Sequence, residues 1–261
     1  MDYRHLIVRR DGPVERLTLN RPDVRNAFNP ALVEDLRAWA SATGAQPDVR
    51  ATVLAGAGPA FCAGGDLAVM AAQVDATREE NLADARRMAD MFYALDTLAV
   101  PLVGRVHGAA LGGGAGLAAV CDIVIAAEDA VFGFTEVKLG IVPSVISPYA
   151  LARIGRSAAR ELFLTGARFG AARAKDIGLV HSVVPADRLD DEVRRYLEQF
   201  LSAGPDAVRQ AKVLIRDIWG QSPADAAEFT AGVLADRRVS AEGQEGLRAF
   251  LQKRRATWVA P

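Results

Sequence analysis

Two cysteines, Cys62 and Cys121, in a chain of 261 residues are too few and too far apart for a disulfide framework or a four-ligand zinc site. Their scarcity fits a reducing compartment. Charge of one sign is missing as well. Lys and Arg number 31 against 32 Asp and Glu, a net charge of -1, so no overall basic field exists to hold a phosphate backbone, and nucleic acid is not the expected partner. Residues 1–10 contain no apolar run of signal-peptide length, and a cytoplasmic location is expected. Neither Gly-x-Ser-x-Gly nor His-Glu-x-x-His occurs, which excludes a standard serine hydrolase or zincin. One stretch, 108–127, reaches the length of a membrane span, yet it holds five glycines and Asp122. Each glycine costs a helix about 1 kcal/mol relative to alanine, and a central Asp costs about 3 kcal/mol on insertion. A buried helix running into a buried strand is therefore expected, and no membrane contact.

What is present is ordinary globular material, 51% hydrophobic and 24% charged. Alternating residues at 5–10 and 14–19, joined by Asp11-Gly12-Pro13, predict a hairpin. A helix is expected from Pro30, with Leu32, Val33, Leu36 and Trp39 on one side, followed by a strand at 49–55. Next come a Gly-rich turn at 56–65 and a helix over 78–98 that Pro101 ends. Strands at 102–106, 122–127 and 179–184 alternate with a helix from about 112 and short helices within 148–177. That alternation predicts an α/β core over residues 1–185. From 186 to 261 only helical periodicity remains, and this tail is expected to pack on the core or on neighbouring subunits.

Chemistry concentrates in three segments. Gly108-Ala109-Ala110-Leu111-Gly112-Gly113-Gly114-Ala115-Gly116-Leu117 lies between a strand and a helix, where close backbone approach and unpartnered helix N–H groups can bind an oxyanion. Phosphate-loop readings fail: no Lys-Ser or Lys-Thr follows, and position 117 is Leu where the dinucleotide fingerprint needs Gly. Tight helix packing is the other reading. A second Gly-rich strand-to-helix turn, 56–67, carries Gly64-Gly65 and Asp66, which is placed to cap the next helix. Two such turns are what a two-donor oxyanion hole requires, though the second alone would read as a loop. In the third segment Glu136 is a lone carboxylate among apolar residues, either buried with a raised pKa or paired at the surface with Lys138. His107 and Cys62 read as structural side chains. The run Lys253-Arg254-Arg255 reads as a solvated helix face or a phosphate contact.

At Leu19-Asn20-Arg21-Pro22, Arg25-Asn26-Ala27, Phe61 to Leu67, Ala110 to Gly114, Cys121-Asp122, Leu164-Thr165-Gly166, Gly178-Leu179-Val180 and Lys253-Arg254, the sequence resembles the crotonase (enoyl-CoA hydratase/isomerase) superfamily. The resemblance implies a spiral of ββα units with a C-terminal helical region that builds trimers or dimers of trimers. The implied substrate is an acyl-CoA thioester, with coenzyme A part of the substrate and no separate cofactor or metal. By motif, the N–H groups of Gly65 and Gly113 are the implied oxyanion donors and Glu136 the catalytic carboxylate. Arg25, Ala63, Asp66 and Leu67 match the stretch along the adenine and pantetheine, and Lys253 matches a lysine reaching the phosphates from a neighbouring subunit. Gly116 stands where hydratases of the best-known kind carry a first glutamate. Residues 134–149 look closest to bacterial methylglutaconyl-CoA hydratase-like proteins, so hydration is expected, with Ser144 or a backbone group as second anchor. Single-glutamate enoyl-CoA isomerisation is the alternative, and an RNA-binding or scaffold role is a third class.

Overall fold

The computed structural model describes residues 2–44 and 46–259. Strands β1 (Leu6–Asp11) and β2 (Val14–Leu19) form the expected hairpin, with Gly12 at φ +54° in its turn. Helix α1 (Pro30–Gly44) follows, then β3 (Ala51–Gly56), the short α2 (Leu67–Gln73) and the long α3 (Arg78–Asp96). Next come β4 (Leu102–Val106), β5 (Ala109–Leu111) and α4 (Gly113–Val120), then β6 (Ile123–Ala127), β7 (Val131–Gly133) and α5 (Ser147–Thr165). Strand β8 (Arg168–Gly170), α6 (Ala171–Asp176) and β9 (Ser182–Val184) close the core, and α7 (Leu189–Ser202), α8 (Pro205–Asp217), α9 (Pro223–Val239) and α10 (Ala241–Leu251) form the helical tail.

Six strands make one sheet in the order β1-β2-β3-β4-β6-β9, parallel from β2 onward, and β5-β7-β8 make a second. Each turn of the chain lays one strand in the large sheet, a short one in the small sheet and then a helix. Thus β4, β5 and α4 are followed by β6, β7 and α5, and the pairing of Cys62 with Ala110 extends the small sheet back to the turn begun by β3. The result is an α/β spiral of ββα units with a C-terminal helical bundle. Strands β3, β4 and β6 read as nearly continuous apolar runs because both of their faces are covered. Leu32, Val33, Leu36 and Trp39 of α1 are buried as expected, and α1 packs against α3.

Two elements depart from expectation. The small sheet was not anticipated, because three-residue strands are too short to display a period of two. The strand expected at 179–184 begins at Ser182, since Gly178 at φ +85° turns the chain and the N–H groups of Leu179 and Val180 both donate to Ala174 O. The short helices expected within 148–177 are found, since α5 is broken at Gly155, φ 67°, and α6 follows it. The tail is fastened to the core by charge. Arg50 donates to the carbonyls of Phe200, Leu201, Ala203 and Trp258 at 2.6–3.3 Å, and Lys212 pairs with Asp122 at 2.7 Å. Among the described residues no helix is long and apolar enough to cross a membrane.

Candidate active site

The loop after β3 is pinned on both sides. Phe28 N–H donates to Gly64 O at 2.7 Å and Asp66 N–H to Phe28 O at 3.0 Å, so in this parallel bridge the intervening Gly65 turns its own N–H away from Phe28. On the other side, Cys62 N–H donates to Ala109 O at 2.9 Å and Leu111 N–H to Cys62 O at 3.0 Å. The two Gly-rich turns therefore lie side by side. Their contact requires glycine: a Cβ on Gly114 would stand 2.1 Å from Cys62 O, and one on Gly64, at φ +97°, 2.9 Å from Leu111 O.

Gly113 is the first residue of α4, where a backbone N–H has no partner within the helix and the helix dipole favours negative charge. Gly65 is exposed and Gly113 half-buried, and neither N–H is taken by an acceptor among the described residues. Phe28 links the two positions, since it bridges Gly65 and its ring covers Gly113, where a Cβ would stand 2.8 Å from Phe28 Cε2. The turn before Gly113 places the carboxylate. A Cβ on Gly112, itself at φ +52°, would lie 3.2 Å from Glu136 Oε1.

Glu136 opens a 3-10 turn, Glu136–Leu139, just after β7. Its Oε2 is buried with no hydrogen-bond partner, and burial raises its pKa against the opposing pull of its own backbone N–H. Lys138 is exposed and forms no ion pair with it among the described residues, so the surface-pair reading is not what the fold adopts. A half-buried carboxylate with a free oxygen, beside the turn that leads into the free Gly113 N–H, is a geometry that can move a proton while an oxyanion is held.

The position of the missing first glutamate is filled. A Cβ on Gly116 would stand 2.3 Å from Ile146 Cγ2 and 3.2 Å from Phe92 Cε1, both on fully buried or nearly buried side chains. Ser144 is exposed, and its carbonyl accepts from the N–H and hydroxyl of Ser147 at 3.1 and 2.7 Å; its hydroxyl makes no hydrogen bond to the described residues.

Of the implied ligand-path residues, Arg25 and Ala63 meet, Ala63 N–H donating to Arg25 O at 2.9 Å, and Arg25 is exposed in the left-handed region at φ 52°. Leu67 is exposed beside them. Asp66 is buried instead: it pairs with Arg21 at 2.7 Å and caps α2 through Ala68 N–H at 2.8 Å, and Arg21 foremost holds its pKa below the usual carboxylate range. Lys253 lies beyond the end of α10, exposed, and α10 packs on α8 and α9 rather than on the elements carrying Glu136. Cys62 is buried and its thiol is pushed up to about 12 by burial, which leaves no thiolate for nucleophilic chemistry. His107 faces Gly58 O at 2.8 Å.

Sequence reasoning assigned no role to Asn26, which is fully buried in the left-handed region at φ 57°. Its Oδ1 accepts from Arg21 N–H and its Nδ2 donates to the carbonyls of Ala57 and Ala60, which fixes the first Gly-rich loop. Asn tolerates that conformation better than most residues, and this was the available signal. Among the described residues no group of three or more His, Cys, Asp or Glu is placed to hold a metal ion.

Comparison with known proteins matches residues 9–261 to the family model described as Enoyl-CoA hydratase/isomerase. A protein named probable enoyl-CoA hydratase in Mycobacterium bovis is 36% identical over 264 residues, 97% of each chain. Among solved structures, Pseudomonas aeruginosa AtuE superposes with a TM-score of 0.95 at 40% identity, covering 98% of this chain and 100% of that one. An enoyl-CoA hydratase from Shewanella pealeana superposes with a TM-score of 0.94 at 35% identity, covering 97% and 96%.

Proposed function

The chain belongs to the enoyl-CoA hydratase/isomerase (crotonase) family of acyl-CoA enzymes, and from that premise we propose that it adds water reversibly to a 2-enoyl-CoA with Glu136 as its single proton-transferring carboxylate. The observation that carries this reading is the unpartnered, buried Oε2 of Glu136 beside the Gly112-Gly113 turn. The thioester oxygen accepts hydrogen bonds from the N–H groups of Gly65 and Gly113. Glu136 takes a proton from water as the water oxygen bonds to C3, and the displaced electron pair moves onto the thioester oxygen as an enolate. The carboxylic acid then returns its proton to C2, the carbonyl re-forms, and Glu136 is again a carboxylate. Coenzyme A is part of the substrate, and no step needs another cofactor. Arg25, Ala63 and Leu67 line its path in this reading, while Asp66 shapes the loop from within. A branched, methylglutaconyl-type acyl group is proposed from the likeness of residues 134–149 to such hydratases.

A second reading rests on one observation, the filled slot at Gly116. With no room for a second carboxylate to hold water, Glu136 would remove a C2 proton from a 3-enoyl-CoA and return it at C4. A panel of straight and branched enoyl-CoAs separates the two. A product heavier by one water supports hydration, and unchanged mass with a shifted double bond supports isomerisation. Absence of turnover on every thioester, together with a salt-sensitive RNA shift, would overturn both.

We further propose that residues 186–261 build a homotrimer or a dimer of trimers, because Ile215, Trp219, Leu234, Phe250 and Leu251 expose large apolar side chains in this region. In that assembly Lys253 reaches the phosphates of a ligand on a neighbouring copy. Sedimentation of a monodisperse active monomer would contradict this.

A further inference from the structure

The two proposed oxyanion donors are held differently. Gly113 stands in the first turn of α4, whereas Gly65 lies in a loop and owes its orientation to one isolated bridge with Phe28. That bridge consists of two hydrogen bonds, Phe28 N–H to Gly64 O and Asp66 N–H to Phe28 O. A misplacement of about 1 Å at a reacting centre can cost about a hundredfold in rate, so whatever keeps the two segments of the bridge in register bears on the chemistry.

One guanidinium spans them. Arg21 donates through Nη1 to the carbonyl of Ala27, the residue before Phe28, and through Nη2 to Oδ2 of Asp66, the residue after Gly65, at 2.7 Å. Its two prongs therefore reach the chain neighbours of both bridge partners. The other oxygen of Asp66 accepts from Ala68 N–H at 2.8 Å, which ties the same clamp to the start of α2. The Arg21 and Asp66 side chains are only 14% and 9% exposed, so the pair is not a solvent-screened surface contact.

Arg21 is itself fixed. Its N–H donates to Asn26 Oδ1 and its carbonyl accepts from Asn26 N–H, both at 2.9 Å. Within that loop the chain turns back through Arg25 and Asn26 in succession, at φ 52° and 57°. Consecutive L residues in the left-handed region persist only where surrounding contacts over-determine them. The clamp supplies part of those contacts, and the segment it holds is the one that bridges to Gly65.

We propose that Arg21 is a positioning residue for catalysis, aiming the Gly65 N–H at the thioester oxygen by clamping Ala27 and Asp66 across the Phe28–Gly65 bridge. It acts through the backbone and touches no reacting atom. The inference rests on the oxyanion reading above and extends it from the donor to the ion pair behind it.

Two variants open the clamp in different ways. Arg21→Lys keeps the charge but cannot reproduce a planar fork aimed at two acceptors. Asp66→Ser keeps a good cap on α2 and removes the acceptor of the second prong. The test is the absorbance of bound para-dimethylaminocinnamoyl-CoA, an electron-rich conjugated thioester whose band moves to the red when its carbonyl oxygen accepts hydrogen bonds, with kcat and KM measured separately on crotonyl-CoA. The wild type is expected to shift the band to the red. Each variant is expected to lose most of that shift and to lower kcat about tenfold to a hundredfold, with KM changed less than about threefold. Arg50→Ala, which loosens the tail instead, is the control and should lower the melting point while leaving the red shift and kcat as in the wild type. A merely structural Arg21 predicts that same pattern in both clamp variants, and a full red shift with full kcat in either folded variant overturns the proposal. If one variant does not fold, the other carries the same comparison. A wild type that binds the probe without a red shift would sink the oxyanion reading together with what rests on it, whereas a full shift in the clamp variants sinks the clamp alone, so the two failures are distinguishable.

Discussion

Gly116→Ala separates local helix preference from packing, because the two predict opposite signs. Gly116 lies inside α4, where replacing glycine by alanine would by propensity alone stabilise the protein by about 1 kcal/mol. The new Cβ, however, would sit 2.3 Å from Ile146 Cγ2 and 2.9 Å from its Cβ, with Phe92 at 3.2 Å closing the other side. Ile146 is 2% exposed and Phe92 0%, so neither can give way into solvent. Overpacking of this severity belongs at the upper end of the usual penalty, about 3 kcal/mol, which leaves a net loss of about 2 kcal/mol. At about 2–4 °C per kcal/mol for a chain of this size, the thermal midpoint should fall by about 4–8 °C. Adding Ile146→Ala should make the double variant about 1–2 kcal/mol more stable than the two single effects summed, since the clash and the cavity then offset each other. Thermal scans of wild type, both single variants and the double variant measure all the terms. A Gly116→Ala midpoint above wild type would refute the packing argument, and with it the explanation of why this chain has no first glutamate.

Gly113→Pro removes the proposed donor at a helix position that tolerates proline, and Gly113→Ala carries the same Cβ toward Phe28 while keeping the N–H. Turnover should be about a hundredfold lower in the proline variant than in the alanine variant, and equal rates would remove Gly113 from the oxyanion site. Because burial raises the Glu136 pKa, kcat/KM should fall as pH drops through a value above the ordinary carboxylate range; an acid limb at ordinary carboxylate pH would contradict the buried base. The same shift fixes a stability sign. The folded state binds the proton more tightly than the unfolded chain, so stability falls as pH rises through the window between the two pKa values, and Glu136→Gln should be at least as stable as wild type at neutral pH by thermal melting. Arg50→Ala removes a charged donor shared by four carbonyls and should cost about 2–4 kcal/mol, with Arg50→Lys recovering only part because an ammonium lacks the guanidinium fan; an unaffected melting point would show that the tail is held elsewhere.

The large sheet and the helices were legible because their signals are local: apolar runs for β3, β4 and β6, a one-sided stripe for α1, and Pro101 after α3. The capping role of Asp66 was legible for the same reason, and the structure places its carboxylate on Ala68 N–H. What the sequence did not display depends on contacts distant along the chain. Strands β5, β7 and β8 exist only because successive turns of the spiral bring them together. The pairing of Asp66 with Arg21 draws an expected ligand-path residue into the interior, and it joins positions 45 residues apart. The absence of a glutamate at 116 was visible, but that Ile146 and Phe92 occupy its place was not. Glycine at 64 and 114 announced close approach without naming what approached.

The central claim, proton transfer by Glu136, is tested most directly by hydrogen–deuterium exchange at C2 of a saturated or 3-hydroxyacyl-CoA in deuterated water, comparing wild type with Glu136→Gln. The amide keeps the shape of the carboxylate and removes its basic oxygen, so exchange should fall about a hundredfold to ten-thousandfold while calorimetric binding of an unreactive acyl-CoA persists. Exchange at the wild-type rate in a folded, ligand-binding variant would place the base on another residue.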